Sequence, residues 1–419
     1  MTTGPFLLPL RGSIKTYAWG SRTVLAGLTG RTAPAHEPEA ELWIGAHERG
    51  ASEIVSNGAW VSLRETIARD PVGLLGASEV GRFGSELPFL LKLLAIERPL
   101  SLQVHPDRTE AAAGYERERA AGIAPEDGSY RDARHKPELI VALEPVWALQ
   151  GVLEPDAIRG RFAEAGVVSF GRETERLARQ GAAGLRGFLG TLLGLAGEKR
   201  SRVLAEARFA GERARRKAAT TRSAATPNED SRDDPLFWLG RLLELHPEDP
   251  AALAPLFLHL VHLAPEQGLF QAPGVLHCYL EGAGVEVMAS SDNVVRAGLT
   301  AKPIDLAEIL AVADTTPVEP VTIRPREVSP GVARYPAAAE EFQLLRLEAT
   351  SLRAMALVAP EALLLGICTR GEGHIAAPSR GEALALTSGR AFAVRPGAGT
   401  LRLDGDLRVY AATTAPTGG

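Results

Sequence analysis

The chain is poor in cysteine, with only Cys278 and Cys368 in 419 residues. That excludes a disulfide-stapled scaffold and fits a reducing compartment. Long apolar runs are also missing. The longest, "LPFLLKLLAI" at 87–96, contains Lys92 and is too short to cross a bilayer. The N-terminal "MTTGPFLLPLRGSIK" has no basic leader and its apolar run is broken by Pro9, so no secretory signal is read there. Nor is there an excess of positive charge. A net charge of -5 and a pI of about 6.1 leave no electrostatic footprint for nucleic acid, though a local basic pocket for an anionic metabolite remains open. The expectation is a cytoplasmic monomer without a nucleic-acid or membrane partner.

What is present is ordinary globular material, 45% hydrophobic and 23% charged, in a chain long enough for two or three domains. Short apolar runs punctuated by Gly and Pro read as strands at 40–47, 51–56, 99–105 and 137–153, with a helix at 61–70. After about 153 the composition turns to Ala, Leu, Arg and Glu and reads as helices. A polar stretch, 220–234, reads as a mobile loop, and helical patterning returns through "LFLHLVHLAP", where Asp249 and Pro250 mark a helix start. Strand patterning resumes at 267 and continues to the C-terminus. The chain is therefore mainly β with a helical insertion: 1–152 and 265–324 form one β unit, 153–264 the insertion, and 325–419 a second β unit.

Three stretches carry residues that are poor core fillers. In "SLQVHPD" (101–107), side chains two apart on a strand share a face, so Gln103 and His105 point the same way, as a metal site or a hydrogen-bonded strand end would have them. In "RDARHKPELIVAL" (131–143), His135, Lys136 and Glu138 stand at the entrance to an apolar strand. A buried carboxylate there needs a metal or a lysine as partner; the alternative is a solvated turn. In "PGVLHCYLEGAGVEVMASSDNVVRAGLTAK" (273–302), His277 and Tyr279 share one face and Cys278 takes the other, while Glu286, Asp292, Arg296 and Lys302 follow in a segment that reads as a loop over a pocket. Gln, His, Glu and His together are able to hold a divalent ion with net charge near +1, fit to polarise a bound oxygen.

Elsewhere, His259 and His262 read as neighbours on a helix, and His374 and Cys368 as structural. The basic "GERARRKAATTR" (211–222) reads as a solvated helix end.

Four stretches, "YAWGS" (17–21), "LPFLLKLLAIERPLSLQVHPD" (87–107), "HKPELIVAL" (135–143) and "GVLHCYLEGAGVEVMASSDNVVRAGLTAK" (274–302), together resemble the type I mannose-6-phosphate isomerase family, in family order. The resemblance implies a cupin-like β-sandwich catalytic domain made of the first and third segments, an inserted helical domain and a C-terminal cupin-like β domain. It implies one zinc ion per subunit, bound by Gln103, His105, Glu138 and His277, and an active-site arginine at Arg296. Trp19, Lys92, Ser101, His135, Lys136, Tyr279, Glu286 and Asp292 fall on family-like pocket positions. Cys278 stands where a small residue such as Ala is expected. The implied reaction interconverts mannose 6-phosphate and fructose 6-phosphate through a cis-enediol(ate), a sugar phosphate being the partner. His135, Lys136 and Glu286 are the candidate bases, and Ser101, Lys92, Lys136 and Arg296 the candidate phosphate contacts. A non-catalytic sugar-phosphate sensor on the same scaffold would have lost a metal ligand or the arginine. An iron-dependent cupin oxygenase would make Gln103 an odd ligand.

Overall fold

A computed structural model describes residues 4–56, 58–221 and 231–416. The polar stretch read as a mobile loop falls largely at 222–230, outside the described residues. The architecture is mainly antiparallel β, in two sheet systems with helices packed on one side.

The spine of the first system is the long strand His277–Ala289. Its second half lies between Phe89–Ile96 and Glu138–Ala142, with Glu286 opposite Lys92 on one side and Ile140 on the other. Its first half pairs instead with Val146–Val152 and Leu102–Val104. The change of partner falls at Gly282, where φ is +127° and an added Cβ would lie 2.2 Å from the Pro145 carbonyl oxygen, so only glycine fits.

Alternation along these strands sorts the side chains. Leu91, Leu93, Leu139, Val141, Val285 and Val287 enter a core shared with the second sheet. Leu94, Ile96, Ile140 and Tyr279 line the opposite face, and period two puts Lys92, Glu138 and Glu286 on that face as well. Along Leu102–Val104 and the start of the spine, Leu102, Val104, Cys278 and Leu280 pack into a third core made with the helices. Gln103, His277 and Tyr279 are left to point the other way, and Cys278 faces away from them as expected.

The helices Pro155–Glu164, Gly171–Gln180, Leu185–Leu193, Gly197–Thr221 and Pro235–Leu245 supply that third core. The Pro250–Leu256 turn that follows is a 3-10 helix, capped where Asp249 accepts from Ala251 N–H. The helical reading of His259 and His262 does not hold. They lie on the strand Leu258–Leu263, antiparallel to Val146–Val152, and three positions apart on a strand they face opposite ways. His262 stacks on Trp147 with centroids 4.5 Å apart and pairs with Asp233 at 3.1 Å.

The second sheet is built on Thr400–Thr413, Leu364–Ala377 and Gln343–Ala349. Strand pairing crosses the linear order of the chain, because Leu7–Arg11 joins Ala391–Val394 and carries the Glu53–Ser56 and Ala59–Ser62 hairpin with it. The N-terminal segment thus ties the two sheet systems together.

Candidate metal centre

Register brings the site together. Arg296 lies opposite Gln103, Gln103 opposite His277, and His277 opposite Gln150, across four neighbouring strands. The segment around Arg296, read as a loop, contains the strand Val295–Gly298 paired with Leu102–Val104. Its end is pinned by Asp249, whose carboxylate accepts from Leu299 N–H at 2.6 Å. Glu138 opens the strand Glu138–Ala142, which pairs with the far half of the spine, and its carboxylate turns toward both imidazoles.

His105, Glu138 and His277 are fully or almost fully buried, and their ligand atoms lie within 4.8 Å of one another. Both rings are held by their far nitrogens. His105 Nδ1–H donates to the Asn293 carbonyl at 2.8 Å and His277 Nδ1–H to the Val275 carbonyl at 2.9 Å. That fixes the tautomers and aims both Nε2 lone pairs inward, as for metal-binding imidazoles. Burial pushes His277 down to about 4, with His105 adding to it, and burial also lowers His105 despite the Glu138 carboxylate. Both rings are therefore neutral at pH 7. Each Nε2 lone pair then faces a carboxylate oxygen of Glu138, at 3.4 Å from His105 and 3.7 Å from His277, and His105 Nε2 is buried with no hydrogen-bond partner among the described residues. Acceptors gathered on acceptors in a dry pocket call for a cation between them.

Gln103 completes the set. Its Nε2 donates to His277 Nε2 at 3.2 Å, and Ser101 Oγ donates to its Oε1 at 3.3 Å. The two ends of an amide are assigned from the network, and the Ser101 hydroxyl is able to donate or accept. Turning the amide over presents Oε1 to the cluster and keeps the serine contact. The donor set fits a small divalent ion taken by nitrogen and oxygen ligands.

Burial raises the Glu138 carboxyl, but Lys136, 3.0 Å away, and His105 outweigh it and hold the group well below the usual carboxylate range. Lys136 and Glu138 thus form a buried pair, and the entrance to the strand is not a solvated turn.

These residues open on a cavity of about 440 Å³ lined by Trp19, Lys92, Ser101, Gln103, Lys136, Glu138, Tyr279, Glu286, Asp292 and Arg296. Four residues that went unread in the sequence also line it: Glu41, Trp43, Arg49 and Arg131. Lys92 is buried and bridges Glu286 at 3.1 Å and Glu41 at 3.5 Å. Burial opposes its charge, but the two carboxylates raise its proton affinity further than burial lowers it. Burial lifts Glu286 up to about 7, against the pull of Lys92. At the mouth, Asp292 pairs with Arg49 at 3.2 Å and His47 at 3.5 Å. Lys302 is held below its usual range, first by Arg296 and then by burial, Arg131 and Arg49. Four cations therefore gather near one carboxylate. Arg296 and Lys302 come from one stretch, but Arg49 and Arg131 lie far from it and from each other in sequence, so no local motif announced the cluster.

His135 is the exception among the expected residues. Its Nε2 meets Glu341 at 2.7 Å and Arg108 at 3.3 Å in a separate cavity, next to Arg134 and Pro88. The backbone alternation that sets Lys136 beside Glu138 turns His135 away from the metal pocket.

Fold and site define a mainly β, cupin-like protein with a buried metal-binding cluster opening on a cationic pocket. Residues 7–152 match the family described as phosphomannose isomerase type I, catalytic domain. The chain is 38% identical over 312 residues to mannose-6-phosphate isomerase of Salmonella typhimurium, covering 72% of this chain and 73% of that one. It is 30% identical to the human mannose-6-phosphate isomerase, covering 86% and 87%. A solved zinc-bound mannose 6-phosphate isomerase superposes with a TM-score of 0.87 at 30% identity, over 98% of this chain and all of that one. The Salmonella typhimurium enzyme bound to substrate (F6P) and zinc superposes with a TM-score of 0.86 at the same identity and coverage. The chain belongs to the type I mannose-6-phosphate isomerase family.

Proposed function

We propose that this chain interconverts mannose 6-phosphate and fructose 6-phosphate as a zinc-dependent aldose–ketose isomerase. One observation carries the reading: the acceptor cluster of His105, Glu138 and His277 reaches, through Glu138, the same cavity that Arg296 and Glu286 line. Gln103, His105, Glu138 and His277 would hold one zinc ion. When bound, zinc acts as a Lewis acid toward sugar oxygens.

The chain's own groups supply the proton chemistry. In the open-chain aldose, a base takes the C2 proton, the C2–H electron pair forms the C1–C2 double bond, and the C1 carbonyl oxygen becomes the enediolate oxygen. Return of the proton to C1, with the O2 proton passing to O1, gives the ketose. Glu286 and Lys136 both line the cavity, whereas His135 does not. Glu286 is favoured as the proton carrier, because a carboxyl lifted to about 7 is matched to transfer near neutral pH. Arg296, itself half-buried, stabilises the developing oxyanion. Ser101, Arg49, Arg131 and Lys302 receive the phosphate, while Trp19, Tyr279 and Asp292 line the sugar's path. Lys92 is committed to its two carboxylates and Lys136 to Glu138, which makes both less available to the phosphate than the cations at the mouth.

The reading places the chain in the cytoplasm as a monomer, with a sugar phosphate as its partner and neither nucleic acid nor membrane bound. Its two cysteines, both free and buried, accord with a reducing compartment. The test is a coupled assay for fructose 6-phosphate formed from mannose 6-phosphate. Turnover that a chelator abolishes and zinc restores is expected; turnover indifferent to the chelator overturns the zinc assignment.

A further inference from the structure

The carboxylate of Glu41 has no part in the chemistry above, yet it is buried in the wall of the cavity. It sits on the strand Glu41–Ile44, which pairs with Phe89–Ile96 so that Trp43 lies opposite Lys92. The Trp43 indole N–H donates to Glu41 Oε2, the oxygen that also faces Lys92 Nζ at 3.5 Å. Lys92 in turn lies opposite Glu286 on the spine strand and reaches its Oε2 at 3.1 Å. One ammonium therefore serves two buried carboxylates, and the indole keeps the first of them in place.

We propose that Glu41 is a positioning residue of the isomerisation: by holding half of the Lys92 charge, it keeps Glu286 under-neutralised and so able to carry the substrate proton. This rests on the reading of Glu286 as proton carrier. Glu286 is faced by Lys92 on Phe89–Ile96, by Glu41 on Glu41–Ile44, by Lys136 and Glu138 at the head of Glu138–Ala142, and by Tyr279 on its own strand. Two of these groups are anions that disfavour its ionisation, and two are cations that favour it. Lys136 is tied to Glu138 at 3.0 Å, so Lys92 is the cation within reach of Glu286, and Glu41 draws on it. A like charge disfavours ionisation, and its removal lets the remaining carboxyl ionise at lower pH.

The experiment uses the zinc-loaded full chain and its Glu41→Gln variant, whose amide oxygen still accepts from Trp43. The readout is the acid limb of kcat/KM against pH for mannose 6-phosphate, whatever the plateau rate. The limb should move down by about one pH unit in Glu41→Gln, and by less, in the same direction, in Glu41→Asp, whose shorter side chain weakens its hold on Lys92. In parallel, the Glu286 carboxyl is titrated by carbon-13 NMR in glutamate-labelled protein, its signal assigned by its loss in Glu286→Gln. A downward shift of the same size is expected in Glu41→Gln. An unmoved NMR midpoint overturns the proposal. An NMR midpoint that moves while the limb of kcat/KM stays put also overturns it, because Glu286 then is not the group the reaction reads. A wild-type chain that fails to turn over mannose 6-phosphate strikes the functional reading instead, and the NMR titration still decides whether Glu41 governs Glu286.

Discussion

Glu138→Gln replaces one oxygen by an amide nitrogen and leaves the volume of the site unchanged. It deletes the charge that faces His105 at 3.4 Å, His277 at 3.7 Å and Lys136 at 3.0 Å. Glu138 is 3% exposed and Lys136 7%, so the variant leaves a largely buried ammonium without its counter-ion. Removing one partner of such a pair costs about 3–5 kcal/mol. In metal-free protein, urea unfolding of Glu138→Gln should therefore show a loss of that order. Zinc binding should suffer separately, because the anionic ligand is gone and Lys136 now opposes a divalent ion unscreened. A loss of about 3 kcal/mol or more is a factor of about 100 or more in affinity, measured by competition with a chromophoric chelator. The double variant Glu138→Gln/Lys136→Met separates the two effects. It should regain much of the stability, since neither charge is left buried, but not the zinc affinity. If Glu138→Gln kept zinc as tightly as the wild type, or unfolded within about 1 kcal/mol of it when metal-free, the pairing argument would be wrong.

Three further outcomes follow from the same geometry. His277→Ala should abolish tight zinc binding and isomerisation together, and normal turnover by metal-free His277→Ala would refute the site. Arg296→Ala should keep zinc and fold but lose about 100-fold or more in kcat, read by the coupled assay and by metal analysis of the same preparation. The metal-free chain should also lose stability in acid. His277 is held near 4 in the folded state and titrates near 6.5 when unfolded, so the unfolded chain binds the extra proton between those values. Its contribution is present above pH 6.5 and is lost as pH falls toward 4, by about 3 kcal/mol in all, with His105 acting in the same direction. Urea midpoints at pH 7 and 4.5 in chelator check this, and equal midpoints would count against neutral buried imidazoles.

The alternation of strands made much of the site legible before any coordinates. Gln103 with His105, His277 with Tyr279, and Lys136 with Glu138 each follow from side chains two apart sharing a face. His135 is among the candidate bases although it is an odd neighbour of two even residues, and that parity is what turns it toward Glu341 and away from the pocket. Parity cannot say which strands lie side by side. The row Arg296, Gln103, His277, Gln150 depends on register between segments up to 193 positions apart, and no local pattern encodes that. Glu41 and Trp43 were inside a stretch read as a strand, but their importance comes from Lys92, which joins them only through strand pairing. The error at His259 and His262 has a different origin. The nine residues between Pro255 and Pro265 are too few to tell a helical period from an extended one, and the neighbouring strand Val146–Val152 decided the matter by offering a ladder of hydrogen bonds.

Gly298 is where the helical insertion bears on the chemistry. Its φ is +147°, and an added Cβ would meet the Ala251 Cβ at 2.1 Å and the Asp249 carboxylate at 3.0 Å. The Pro250–Leu256 turn thus presses on the strand that carries Arg296, and Asp249 ties the two by accepting from Leu299 N–H. Gly298→Ala must either strain the backbone or push that strand away. The strain alone is worth about 1–3 kcal/mol. A displacement would carry Arg296 off its place opposite Gln103 and lower kcat, while the Asn293 and Val275 carbonyls still hold both imidazoles. Loss of turnover with full zinc content is the expected result. A variant with wild-type kcat and a wild-type urea midpoint would mean that this contact does not set the position of Arg296.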